Sequence, residues 1–129
     1  MKQGLLLFAH GARDPRWSAP FEAVADRVRR AAPTLAVEVA YLEFMQPTLP
    51  EAAGRMVAAH CAIVDVVPLF LGAGGHVRKD LPLLLEALQA RHPAMQWRLR
   101  SAIGEADEVV EAMARAALRT ITEDAPSQP

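Results

Sequence analysis

Two histidines stand in glycine-flanked segments that each follow an apolar run: His10 in Ala9-His10-Gly11-Ala12-Arg13-Asp14, and His76 in Gly74-Gly75-His76-Val77-Arg78-Lys79-Asp80. If both runs are strands of one parallel sheet, the two histidines arrive at its carboxyl edge, where open α/β sheets bind their ligands. Imidazole binds borderline divalent ions and accepts protons near neutral pH. The placement therefore predicts a metal or proton-transfer site. Glycines beside each histidine, including Gly74 and Gly75, let the backbone turn sharply and let a bulky ligand come close. The competing reading, in which each histidine caps a helix or packs against a loop, suits one isolated histidine better than two in matching loops.

Other polar residues cluster in the same segments. Arg13, Arg16, Arg78 and Lys79 put four cations beside the histidines, a local positive rim suited to a ligand with several carboxylates or phosphates. Ordinary solvated loop charge is the alternative. Glu43, in Tyr41-Leu42-Glu43-Phe44-Met45-Gln46-Pro47, follows a second strand-like run and joins the same edge. It could accept protons or steer a metal, or else cap a neighbouring helix. His60 and His92 fall at the far ends of helices and read as structural or surface residues, His92 being favourable near a helix C-terminus when charged.

Four apolar runs alternating with helical periods must position these groups. Residues 5–9 form the first run, followed by Trp17, Phe21, Val24, Ala25 and Val28 at the spacing of one helix face. Residues 35–42 form the second, and Thr48 with Glu51 three positions later opens a helix to about residue 60. The third run, 62–71, is apolar nearly throughout, as a strand covered on both faces should be. Its helix is expected to start near Asp80 as N-cap, with Pro82 in the first turn and Leu81, Leu84, Leu85 and Leu88 inward, and to stop before Pro93. A weaker strand over 96–103 precedes a last helix over 105–121, with Val109, Val110, Met113, Ala117 and Leu118 inward. Short connections imply right-handed crossovers and a single open parallel four-stranded sheet with helices on both faces. One domain over 1–122 with a frayed tail at 123–129 is expected.

Composition narrows the function. The 129 residues are 52% hydrophobic, with 14 basic against 15 acidic side chains, so no global field favours nucleic acid or an anionic membrane. The single Cys61 lies in an apolar stretch and reads as a buried thiol. The first apolar run is too short for a secretory signal or a membrane span, which makes a cytoplasmic location the expectation. Gly72-Ala73-Gly74-Gly75 is not followed by Lys-Ser/Thr, no Gly-x-Gly-x-x-Gly follows the first strand, and no Gly-x-Ser-x-Gly occurs. A phosphohistidine reading of His10 lacks its preceding arginine, Ala9 standing there.

Three segments, 7–14, 43–49 and 68–80, resemble in order and spacing the signature segments of the small sirohydrochlorin chelatases of the CbiX type. The resemblance spans roughly 5–121. It departs at Ala12, where the family often has serine. It implies a chelatase that needs no ATP and inserts cobalt, or else iron or nickel, into sirohydrochlorin on the way to cobalamin or siroheme. His10 and His76 would handle the metal and accept protons, with Glu43 as a helper, and Arg13, Arg16, Gly74, Gly75, Arg78 and Lys79 would meet the tetrapyrrole. No cofactor would be held permanently, the divalent metal being a substrate. Two ligands hold an ion loosely enough to pass it on, whereas a four-ligand cage would trap it. Because related long chelatases join two such domains around a cleft, a homodimer is expected. A carrier of metal or tetrapyrrole using the same histidines is the main alternative, and a plain α/β interaction domain a third.

Overall fold

The apolar, β-branched runs form strands, and their alternation in burial identifies the two faces of the sheet. A computed structural model describes residues 2–72 and 74–124, with only the backbone of His76, Glu123 and Asp124 described. Its strands are β1 (Gln3–Ala9), β2 (Ala36–Tyr41), β3 (Ile63–Pro68) and β4 (Gln96–Leu99), and its helices α1 (Ala19–Ala31), α2 (Leu49–Ala58), α3 (Gly75–Arg91) and α4 (Asp107–Asp124). All strand pairs are parallel, in the order β2-β1-β3-β4. This is the open four-stranded parallel sheet with helices on both faces that the alternating pattern implies.

Helix starts follow local chemistry. Thr48 and Glu51 form the expected capping box at α2, with hydrogen bonds of 3.3 and 3.2 Å between each side chain and the other's backbone N–H. One sheet face buries Leu6, Phe8, Val64 and Val66 against Ala52, Ala53 and Met56 of α2 and Leu81, Leu85 and Leu88 of α3. The other face buries Leu7, Ala9, Val37, Val39 and Tyr41 under Ala25 of α1. Cys61 is buried as a free thiol, and burial pushes its pKa up. No described helix is long and apolar enough to cross a membrane.

Four expectations need correction. First, α3 starts at Gly75 rather than near Asp80, because extended Gly74 serves as N-cap and accepts the Arg78 N–H at 2.9 Å. Pro82 therefore lies inside the helix, exposed. Second, β3 ends at Pro68, and the apolar residues 69–71 run on as loop. Third, β4 stops at Leu99; residues 100–102 run on as loop, and a 3-10 turn, Ile103–Glu105, begins at the last residue of the expected strand. There the Gly104 N–H donates to the Phe70 carbonyl at 2.9 Å, and a Cβ on Gly104 would collide with the Leu71 backbone.

The fourth correction concerns α4. Val110, Met113, Ala117 and Leu118 are exposed instead of turned inward, and the element this helix chiefly packs against is the 3-10 turn before it. α1 packs chiefly on β2 and less on β1; Leu5 of β1 and Val67 of β3 pack against the edge of that core, and Ile63 of β3 is half-buried. Trp17 and Val24 are likewise partly exposed, Trp17 sitting in a 3-10 turn, Pro15–Ser18, ahead of α1. Helix α4 reaches Asp124, two residues into the expected tail; 125–129 lie outside the described residues.

Candidate functional site

Because β1 is central and paired with both β2 and β3, the loops that follow these three strands lie side by side at the carboxyl edge. Backbone hydrogen bonds lace two of them: Leu42 N–H donates to the Ala9 carbonyl at 2.9 Å and Glu43 N–H to the His10 carbonyl at 3.1 Å. Gly11 has φ 95°, and a Cβ there would collide with the Glu43 carbonyl. Glycine is what lets the two loops close on each other. The result is a side-chain pair, His10 Nε2 lying 3.4 Å from Glu43 Oε1 with each side chain 48% exposed. The His10 ring also meets Phe70 edge-on, centroids 5.9 Å apart.

His10 stands on the wall of a hollow of about 560 Å³ whose other walls are Trp17, Phe21, Leu69, Phe70, Leu71, Gly72, Gly74 and Val77. The Trp17 and Phe21 rings are 5.7 Å apart. Sequence reasoning missed most of this apolar lining. Leu69, Phe70 and Leu71 were hidden in a run that reads as strand, and Trp17 in a pattern that reads as helix; the signal was Pro68, beyond which an apolar run need not continue the ladder. His76 is the second residue of α3, between Gly74 and Val77 of the same wall. Its side chain lies outside the described residues.

The four cations are distributed more widely than the sequence suggests. Arg13 lies over the Phe44 ring, 4.8 Å from its centroid. It borders a neighbouring hollow of about 260 Å³ with Glu22 and Tyr41. Arg16 binds Asp14 at 2.7 Å, and this guanidinium holds the Asp14 carboxyl below its ordinary range. Arg78 reaches Glu105 at 3.5 Å and borders another hollow, with Leu99 and Arg100. Lys79 is exposed on the first turns of α3, and Gly75 begins that helix. Beside Arg13, the Tyr41 hydroxyl lies 3.5 Å from Glu22, and burial, then the Glu22 charge, pushes the phenol pKa up. His60 and His92 stand at the opposite edge, His60 just past α2 with φ 60° and His92 as the C-cap of α3.

Among the described residues no three His, Cys, Asp or Glu side chains gather as a metal cage; at the carboxyl edge His10 and Glu43 pair. An open imidazole with a carboxylate behind it can take up an ion or a proton and release either to water.

Comparisons with known proteins agree with this architecture. A family model described as CbiX matches residues 4–120. A sirohydrochlorin cobaltochelatase of Saccharolobus solfataricus is 37% identical over 82 residues, covering 64% of this chain and 62% of that protein. The chain spans about three fifths of the length of the curated relatives it matches. A crystal structure from Marinobacter aquaeolei, described as a putative cobalamin biosynthesis CbiX protein, superposes with TM-score 0.84 at 32% identity, covering 95% of this chain and 99% of that one. SirB from Bacillus subtilis with Fe3+ gives TM-score 0.80 at 25% identity over 98% of this chain and 49% of that one.

Proposed function

The chain belongs to the CbiX family, and from that premise we propose that it inserts a divalent metal, cobalt first and iron or nickel as alternatives, into sirohydrochlorin without ATP. The observation that carries the reading is the His10–Glu43 pair, 3.4 Å apart, on the wall of an apolar hollow large enough to admit one edge of a macrocycle.

Insertion exchanges two pyrrole N–H protons for one divalent ion. The ion enters as substrate and leaves in the product, so no resident cofactor belongs to the reading. His10 binds the incoming metal through a ring nitrogen, passes it on, and accepts a pyrrole proton as the nitrogens are metallated. Glu43 favours the imidazolium so formed and relays the proton to water, since both side chains are half exposed. His76, in the first turn of α3, is the second group proposed to hold metal and take protons. Phe70 and Trp17 support the flat face of the ring system. Arg13, Arg16, Arg78 and Lys79, with the close approach that Gly74 and Gly75 permit, are proposed to meet the tetrapyrrole carboxylates. A second copy supplies the facing wall of the cleft, making the working form a homodimer, and a cytoplasmic setting completes the reading.

A steady-state assay with sirohydrochlorin and cobalt, iron or nickel in parallel tests this, followed by absorbance. Many turnovers per chain are expected. One-to-one binding of metal or tetrapyrrole without insertion would replace the enzyme by a carrier, and absence of any metal binding would remove both.

A further inference from the structure

Among the described residues two that are not glycine adopt positive φ, His60 at 60° and Phe44 at 65°. His60 follows the C-cap of α2, and a left-handed residue is an ordinary way to end a helix. Phe44 is different. Bulky side chains rarely occupy this region, where Cβ crowds the carbonyl oxygen, and no helix ends there. Burial does not offset the cost either, because Phe44 is 57% exposed.

The backbone on both sides holds Phe44 in place. Leu42 and Glu43 donate to the carbonyls of Ala9 and His10, and the Tyr41 N–H donates to the Pro47 carbonyl at 2.9 Å. Glycine or asparagine would fill that conformation with less strain, so the shape of the loop does not call for phenylalanine. The aromatic ring therefore serves something other than stability.

What the ring meets is Arg13, whose guanidinium carbon stands 4.8 Å from its centroid, within cation–π reach. Arg16 and Arg78 are paired with Asp14 and Glu105; no carboxylate among the described residues pairs with Arg13. A guanidinium laid flat on a ring gives up rotamer freedom before any ligand arrives and leaves the edge that carries its N–H groups open to a carboxylate. Both residues adjoin the His10–Glu43 pair, Phe44 directly after Glu43 and Arg13 three positions past His10. They border a hollow separate from the one that Phe70 and Trp17 wall. We propose that Phe44 is a positioning residue for the tetrapyrrole, its ring holding the Arg13 guanidinium edge-on to a carboxylate arm of a macrocycle seated over His10. The inference rests on the tetrapyrrole reading above and deepens it: the apolar face of the ligand and its carboxylate fringe meet different walls, and Arg13 with Phe44 acts as one contact.

Absorbance titration of metal-free sirohydrochlorin at low salt tests it, with thermal melting of each variant alongside. Phe44→Asn, whose short side chain tolerates the left-handed region, is expected to melt no lower than the parent and yet to bind about threefold more weakly, the scale of one exposed ion pair. Phe44→Gly gives the same comparison should the asparagine variant not fold. Phe44→Tyr keeps the ring and is expected to keep the parent's affinity. Arg13→Gln/Phe44→Asn is expected to bind no more weakly than Arg13→Gln, since groups in contact do not add. At about 1 M salt the differences should vanish. Parent affinity in Phe44→Asn, equal losses in Phe44→Tyr and Phe44→Asn, a loss of about ninefold in the double variant, as independent contacts would give, or melting below the parent in both variants without a ring would overturn the assignment. Because the titrations contain no metal, a parent that binds the tetrapyrrole in the expected pattern but inserts nothing ends the chelatase reading alone, whereas insertion with equal affinity in every variant ends this one alone.

Discussion

His10 Nε2 and Glu43 Oε1 stand 3.4 Å apart because the loop after β2 is laced by backbone hydrogen bonds to the loop after β1. The contact joins residues that are remote in sequence, and it follows from β1 and β2 being neighbours in register, Ala9 opposite Tyr41.

Replacing His10 or His76 by alanine should lower metal insertion by about 100-fold or more, the usual scale for a lost proton-transfer group, with far-UV dichroism unchanged because both follow the core elements. Glu43→Gln should cost nearer 10-fold, as expected for a group acting through the imidazole. His60→Ala and His92→Ala, at the opposite edge, should retain activity. Full activity in both His10→Ala and His76→Ala would remove the proposed site.

Gly11→Ala should be destabilising as well as inactivating. The position has φ 95° and no room for a Cβ against the Glu43 carbonyl, and a side chain forced there costs about 1–3 kcal/mol. Thermal unfolding should fall by several degrees. Insertion should fall with it even at temperatures where the variant remains folded, because relief of the clash separates Glu43 from His10.

The Asp65 carboxyl is held below its ordinary range, first by its hydrogen bond from Arg98 and then by the Arg100 and Arg98 charges, against the opposing effect of burial. A group whose folded pKa is lowered contributes stability above its unfolded value, near 4, and loses it as pH falls through the folded value. Denaturant midpoints should therefore drop as pH is lowered below about 4. In Asp65→Asn this component of the acid loss should vanish, and the variant should be less stable at pH 7 by about 1 kcal/mol, a modest figure because the arginines are solvent-screened. Equal acid slopes in parent and variant would contradict the assignment.

Arg13 and Arg16 should differ. Arg16 is committed to Asp14 at 2.7 Å, whereas Arg13 rests on an aromatic ring, with no carboxylate at ion-pair distance among the described residues. Arg13→Gln should weaken tetrapyrrole binding about threefold at low salt, the scale of an exposed ion pair, and Arg16→Gln less. At 1 M salt, where the screening length is about 3 Å, the difference should disappear. Absorbance titrations at two ionic strengths measure both effects.

Local chemistry made much of this protein legible in its amino-acid sequence. Apolar runs alternating with helical periods specify four βα units, Thr48 and Glu51 specify where α2 starts, and glycine-flanked His10 and His76 mark the loops at the carboxyl edge. Boundaries were less legible where an apolar run serves two purposes. Leu69, Phe70 and Leu71 are as apolar as a strand because they wall a hollow, and the helix after them begins at Gly75 because Gly74 can cap it, a possibility that the stronger capping residue Asp80 concealed. Tertiary structure alone decided the rest. Whether Arg78 is free depends on Glu105, which the fold brings from the distant 3-10 turn, whereas the pairing of Arg16 with Asp14 is local. The periodicity of α4 specifies that one face seeks burial, since spacing encodes an apolar stripe. It does not encode whether the chain itself covers that stripe, and here Val110, Met113 and Ile121 stay exposed because α4 packs chiefly against the 3-10 turn before it.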